Sequence, residues 1–290
     1  MSFSSKLLHS VAAAFLTAAP TAAPAAPALW KVQGAQAAVY LFGTIHTLHA
    51  DTKWQSPKID EAFSSADTLY EEVENVGDAA VLQPLITQYG LDPNHPLSGH
   101  LDASGKIKLF AVAGKLGAPQ DQLERLRPWF AATQLSMLPL IRAGYDPNAG
   151  VDVRLRSMAV ARGKKIKGFE TLQQEMEMLS SLPETVQVQF LLATLDDADR
   201  GATLFDEIVA AWTAGDVTRL ETLLNKSTKL KYAALYQRLF VLRNRAFADD
   251  IGQLLSGKGT YFVAIGAGHL AGPDSVQKQL ARRGYKAVRQ

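Results

Sequence analysis

The chain contains no cysteine. That excludes a disulfide framework, a thiolate metal site, a cysteine nucleophile and a lipid-modified N-terminal cysteine. Any metal must be held by His, Asp, Glu or water. An excess of either charge is missing as well: 30 Lys and Arg stand against 28 Asp and Glu, a net charge of +2. Such a balance asks for neither nucleic acid nor an anionic membrane surface as a partner. Long apolar runs are absent beyond the N-terminus. The one found there, Leu7 to Ala19, falls short of the roughly 20 residues that span a bilayer. Histidine is scarce, at 6 in 290 residues.

What is present is ordinary for a globular protein: 47% hydrophobic and 20% charged residues, enough apolar side chain for a substantial core. Residues 1–28 differ. Lys6 is their only charged residue, the short apolar run follows, and small residues end at Ala26-Pro27-Ala28. This is the pattern of a cleaved secretory signal. The expected mature protein is a single domain over 29–290, periplasmic or secreted, with no membrane span left after cleavage.

Trp30 to Val32 and Ala38 to Phe42 predict a hairpin, with Gln33 to Ala37 as its loop. Pro57 to Ser65 predicts a helix, with Pro57 in the first turn and Ile59, Ala62 and Phe63 on one face. Thr68 to Val73 predicts a second strand, which should pair with the strand ending before His46. The middle, about 79–257, is mostly helical by its spacing and its Pro, Gly and Asp breaks, with one short strand at Lys165 to Phe169. Thr260 to Ile265, Ser275 to Arg283 and Tyr285 to Arg289 predict strand, helix and strand. The fold class is therefore α/β: a central mixed, largely parallel sheet from both chain ends, with a large helical insertion between them.

Two short words stand out. Gly43-Thr44-Ile45-His46 and Gly266-Ala267-Gly268-His269 both read G-x-x-H, and each follows an apolar strand. Glycine lets the backbone turn as it leaves the sheet, and sites in open α/β sheets form where strands end. A histidine there can offer neutral imidazole to a metal or act as a general base. His49 is read as a loop residue, and His95 and His100 as surface residues. The next candidates are the acids of Tyr70-Glu71-Glu72-Val73-Glu74. Strand alternation sets Glu71 on one side and Glu72 with Glu74 on the other. Glu170, after the short middle strand, either caps the following helix or faces the same sheet edge. Arg243 can hold a carboxylate bidentately.

At this point the residues resemble the TraB/GumN family, related to the Tiki metalloproteases. The resemblance covers about 30–288. It rests on Leu41 to His46, on Asp67 to Glu74, and on Ile265 to Gly272 with Leu280 and Gly284-Tyr285. Gly150-Val151-Asp152, Gly168 to Leu172 and Arg243-Asn244 add to it. It implies that His46, Glu72 and His269 form the core of a site, with Glu170 and Arg243 in support. The family carries an apolar residue before the acid, whereas here that position is Glu71, so Glu71, Glu72 and Glu74 stand as alternatives. Tiki proteins are metal-dependent peptidases using divalent manganese or cobalt, and other relatives bind haem or open a macrolide lactone.

The expectation is a metal-dependent hydrolase, a peptidase of the Tiki-like type, with His46, Glu72 and His269 holding a divalent ion. Manganese, cobalt and zinc all suit N and O ligands. Glu170, or a second acid of the Glu72 strand, takes the proton, and Arg243 orients a carboxylate or stabilises an oxyanion. Two alternatives stand beside it. One is a metal-independent, esterase-like hydrolase using His46 and Glu72. The other is a non-catalytic protein that binds a peptide or cofactor. In each case the partner is a peptide or a small molecule.

Overall fold

The computed structural model describes residues 26–74 and 79–290. Most of the expected signal, 1–25, lies outside the described residues. Ala28, at the end of that signal, is buried and packs in the same apolar cluster as Trp30. Among the described residues no helix is long and apolar enough to cross a membrane.

The strands are β1 (Leu29–Gln33), β2 (Gln36–Thr44), β3 (Thr68–Glu74), β4 (Lys165–Thr171), β5 (Lys258–Gly266) and β6 (Ala287–Arg289). They form one six-stranded sheet in the order β4-β3-β5-β2-β1-β6. The pairs β2–β5, β5–β3 and β3–β4 are parallel, and β1 runs antiparallel to both β2 and β6. The sheet is thus mixed and largely parallel, and its strands come from both ends of the chain. The helices between Ala79 and Ser256 form the insertion, interrupted by β4.

One expectation is corrected here. β2 and β3 are not neighbours, because β5 lies between them. Phe262, Val263, Ala264 and Ile265 of β5 are fully buried, so this strand needs cover on both faces and takes a central place. The hairpin turn is also tighter than predicted, since β2 begins at Gln36.

Side-chain alternation separates two cores. Phe42, Leu69, Phe262 and Ala264 face one side, under Phe63, Leu155 and Trp212 from helices. Val39, Leu41, Val263 and Ile265 face the other, under Phe247, Ile251, Leu255 and Leu280. Full burial of a side chain such as Phe42 contributes about 1.5–3 kcal/mol. The helix Pro57–Ser65 begins as predicted: Ser56 accepts the Ile59 N–H, Pro57 occupies the first turn, and Ile59, Ala62 and Phe63 are buried. A third cluster, including Leu109, Leu135 and Leu191, is built within the insertion. The insertion therefore carries a core of its own while also capping the sheet.

Candidate functional site

Both G-x-x-H words lie at the C-terminal end of the parallel strands, and they touch. A Cβ on Gly43 would stand 3.1 Å from the Cα of Ala267, so glycine is what lets the second word cross the first. The insertion clamps each word through buried side chains. Trp212 Nε1 donates to the Gly43 carbonyl at 2.8 Å. Asn225 Nδ2 donates to the carbonyls of Gly268 and Ala271, at 3.0 and 3.1 Å, on either side of His269.

Gly150-Val151-Asp152 shapes the first word. A Cβ on Gly150 would lie 2.2 Å from the His46 carbonyl oxygen, so only glycine permits this approach. The Val151 N–H donates to the Ile45 carbonyl at 2.9 Å. Asp152 Oδ2 then meets His46 Nδ1 at 2.7 Å. A carboxylate at Nδ1 fixes the proton there and leaves Nε2 to face outward. The Asp152 charge raises the imidazole pKa; with the His46 side chain 66% exposed, water screens part of that effect.

His269, by contrast, is buried, between the rings of Phe240 and Phe247. Its Nδ1 donates to Asn244 Oδ1 at 2.6 Å, and the Asn244 amide group donates to the Asp274 carbonyl at 2.9 Å. Here too Nε2 is left toward the site, 3.4 Å from Glu72 Oε1.

Glu72 is bound to the second word and lies within reach of the charge of the first. Its Oε2 accepts the Gly266 N–H at 2.7 Å, and its Oε1 accepts from Arg243 Nη2 at 2.6 Å. A Cβ on Gly266 would lie 3.2 Å from Glu72 Oε2, 3.5 Å from His46 Nε2 and 3.6 Å from His269 Cδ2. One point above a glycine is therefore shared by all three residues singled out from the sequence. Burial alone would raise the Glu72 carboxyl, but His269, Arg243 and His46 hold it well below the usual carboxylate range.

Arg243 is buried and bonds two acids at once. Its Nε and Nη2 reach Glu170 at 3.0 and 2.6 Å, while Nη2 also serves Glu72. Burial works against its charge, and Glu72 and Glu170 more than offset that. Glu170 does not cap the next helix. Thr171 does so in a reciprocal capping box with Gln174. Glu175, on the helix Leu172–Ser180, lies 3.9 Å from Arg243, and burial together with the Glu72 charge raises its pKa to about 7.

The neighbouring acids part company. Glu71 points to the opposite face and pairs with Arg156. Burial raises it to about 7 against that arginine. Glu74 Oε1 accepts the Gly168 N–H at 3.0 Å. Only Glu72 of the three contacts the second word and also feels the charge of His46. His49 is a loop residue, bonded to the Gly144 carbonyl at 3.1 Å and stacked on Tyr145. His95 is exposed beside Asp92. His100 departs from its reading as a surface residue: within the insertion its side chain is only 16% exposed, and it meets Glu184 at 2.7 Å.

Do these donors suit a divalent ion? Two features favour it: each histidine has its Nδ1 fixed by a partner, the usual setting of a metal-ligating imidazole. Others oppose it. Both Glu72 oxygens are already taken, and Arg243 Nη1 lies 3.5 Å from His269 Nε2. A guanidinium thus lies against two of the three expected ligands. Among the described residues no three His, Asp or Glu side chains group as a metal site. As arranged, the set does not fit an ion.

No sequence signal assigns a role to Asp152, Asn244, Glu175, Trp212 or Asn225. Asp152 and Asn244 were visible only as neighbours in their blocks, and nothing in the spacing marks Glu175, Trp212 or Asn225.

The family model described as the TraB/PrgY/gumN family matches residues 28–289. An uncharacterized protein of Treponema pallidum (strain Nichols) is 27% identical over 269 residues, covering 88% of this chain and 80% of that protein. No solved structure matches.

Proposed function

The chain belongs to the TraB/PrgY/gumN family, and on that premise we propose that it is a hydrolase acting on peptides, outside the cytoplasmic membrane. The observation that carries the reading is the 2.7 Å contact between His46 Nδ1 and Asp152 Oδ2. It leaves His46 Nε2 exposed beside Glu72, at the point above Gly266. A water there loses its proton to Nε2 as it attacks a carbonyl carbon, and the imidazolium so formed is stabilised by Asp152. The proton then passes to the leaving amine. Glu72 and Arg243 fix the floor of the site, and Glu175, with its raised pKa, stands by as a second proton carrier. The location rests on the N-terminal sequence, with its small-residue Ala26-Pro27-Ala28 ending.

A second reading, a divalent ion held by His46, Glu72 and His269, is favoured by the two fixed Nδ1 atoms. It requires Arg243 to release Glu72. An ion so held would supply Lewis-acid chemistry to the same carbonyl.

The test is digestion of a peptide library, and of simple aryl esters, by purified protein with and without manganese, alongside its metal content. Turnover that survives chelation and is lost in His46→Ala and Asp152→Asn supports the first reading. A bound ion at one per chain, with activity lost on chelation, replaces it with the second. Ligand capture without turnover would leave a binding protein.

A further inference from the structure

β4 is an edge strand, and among the described residues nothing pairs with its outer side. It leads directly into the site, since Glu170 near its end bonds Arg243. Lys165 and Lys167 are two residues apart, so their side chains share one face of the strand, and both are exposed. At the far end of β4 from these lysines lies a groove of about 310 Å³, lined in part by Glu74, Val81, Pro84, Leu85 and Leu172. An open edge offers unpaired N–H and C=O groups to any extended chain. Edge lysines repel a second copy of the same strand, and the same lysines attract a chain of opposite charge.

We propose that β4 is the rail on which an extended acidic peptide is held, pairing as a seventh strand and passing its chain to His46 and Glu72. Main-chain hydrogen bonds would supply affinity with little demand on sequence. Selection would come from acidic side chains at alternate positions, those lying over Lys165 and Lys167. An apolar side chain beyond them would enter the groove beside Leu85 and Leu172. This inference rests on the peptide-hydrolase reading of the site.

The probe is the peptide acetyl-(Thr-Glu)4-amide, with acetyl-(Thr-Lys)4-amide as its charge-reversed control. Amide hydrogen exchange is followed across the whole protein. We expect slowed exchange in Lys165–Thr171 with the acidic peptide alone. The double substitution Lys165→Glu, Lys167→Glu should weaken its binding about tenfold. N-methylation of alternate amides of the probe should abolish binding in one register and spare it in the other. Unchanged exchange in β4, equal binding of the two peptides, or no alternation with N-methylation each overturns the proposal. Binding is read here without turnover. If β4 stays unprotected while His46-dependent cleavage is found, this inference falls alone. If β4 is protected while His46→Ala leaves cleavage intact, the reading of the site falls alone.

Discussion

The Gly266 N–H donates to Glu72 Oε2 at 2.7 Å, so the carboxylate of β3 is bound to the end of its neighbour β5. The glycine serves this contact by having no side chain. Its backbone, at φ −49 and ψ 136, is open to alanine. Gly266→Ala is therefore expected to fold, with stability within about 1 kcal/mol of the parent. Its methyl would stand between Glu72 and His46, where the attacking water belongs. Activity should fall by about a hundredfold or more. Chemical denaturation and steady-state kinetics on one preparation check both halves.

Asp152→Asn tests the dyad by its pH profile. The Asp152 charge raises the His46 pKa, and the base form exists only above that pKa. Removing the charge lowers the pKa, so the acid limb of kcat/KM should move to lower pH. At the same time kcat should fall by about a hundredfold or more, because an asparagine amide at Nδ1 favours the wrong tautomer. A variant with lower activity and an unmoved acid limb would count against His46 as the base.

Arg243 is the cation shared by Glu72 and Glu170. Arg243→Met would deprive two partly buried carboxylates of the cation they share, and a loss of about 3–5 kcal/mol is expected from urea denaturation. Arg243→Lys keeps the charge but not the fork that reaches both acids. It should recover part of the stability and little of the activity.

Much of this site was legible from strand ends. Gly43 to His46 and Gly266 to His269 stand out because a buried strand needs a continuous apolar run, and both runs stop at glycine. Glu72 was separable from Glu71 because alternation puts them on opposite faces, where Arg243 and Arg156 meet them. The order of the sheet was not legible. β5 lies between β2 and β3, yet it follows the whole insertion in sequence, and periodicity says nothing about such distant pairing. The same holds for Asp152, which lies 106 residues from His46.

Glu175 supplies a stability test with a definite sign. Burial and the Glu72 charge raise its folded pKa from 4.5 to about 7, so the folded state holds its proton more tightly than the unfolded chain. Its contribution is fully present below pH 4.5 and is lost as pH rises through about 7. Glu175→Gln keeps the neutral form at every pH. The variant should be more stable than the parent at pH 8, by up to about 1 kcal/mol once solvent screening is allowed for. Melts at pH 4 and pH 8 compare the two, and the advantage should vanish at the lower pH.

Asn225 carries the last prediction, because it acts on His269 without touching it. Its Nδ2 serves the carbonyls of Gly268 and Ala271, while its buried Oδ1 makes no hydrogen bond. Asn225→Leu keeps the branched shape, though with bulkier methyl groups, and removes the amide donor. Two carbonyls beside the second word then lose their partner, at a cost of about 1–3 kcal/mol. The loop carrying His269 would no longer be held against the insertion, so Nδ1 would lose its fixed approach to Asn244. Nitrogen NMR of the imidazole reads this directly. In the parent, His269 Nδ1 should give the signal of one protonated, hydrogen-bonded nitrogen, and in the variant that signal should shift and broaden. An unchanged signal in a destabilised variant would mean that Asn225 supports the fold and leaves the histidine unaffected.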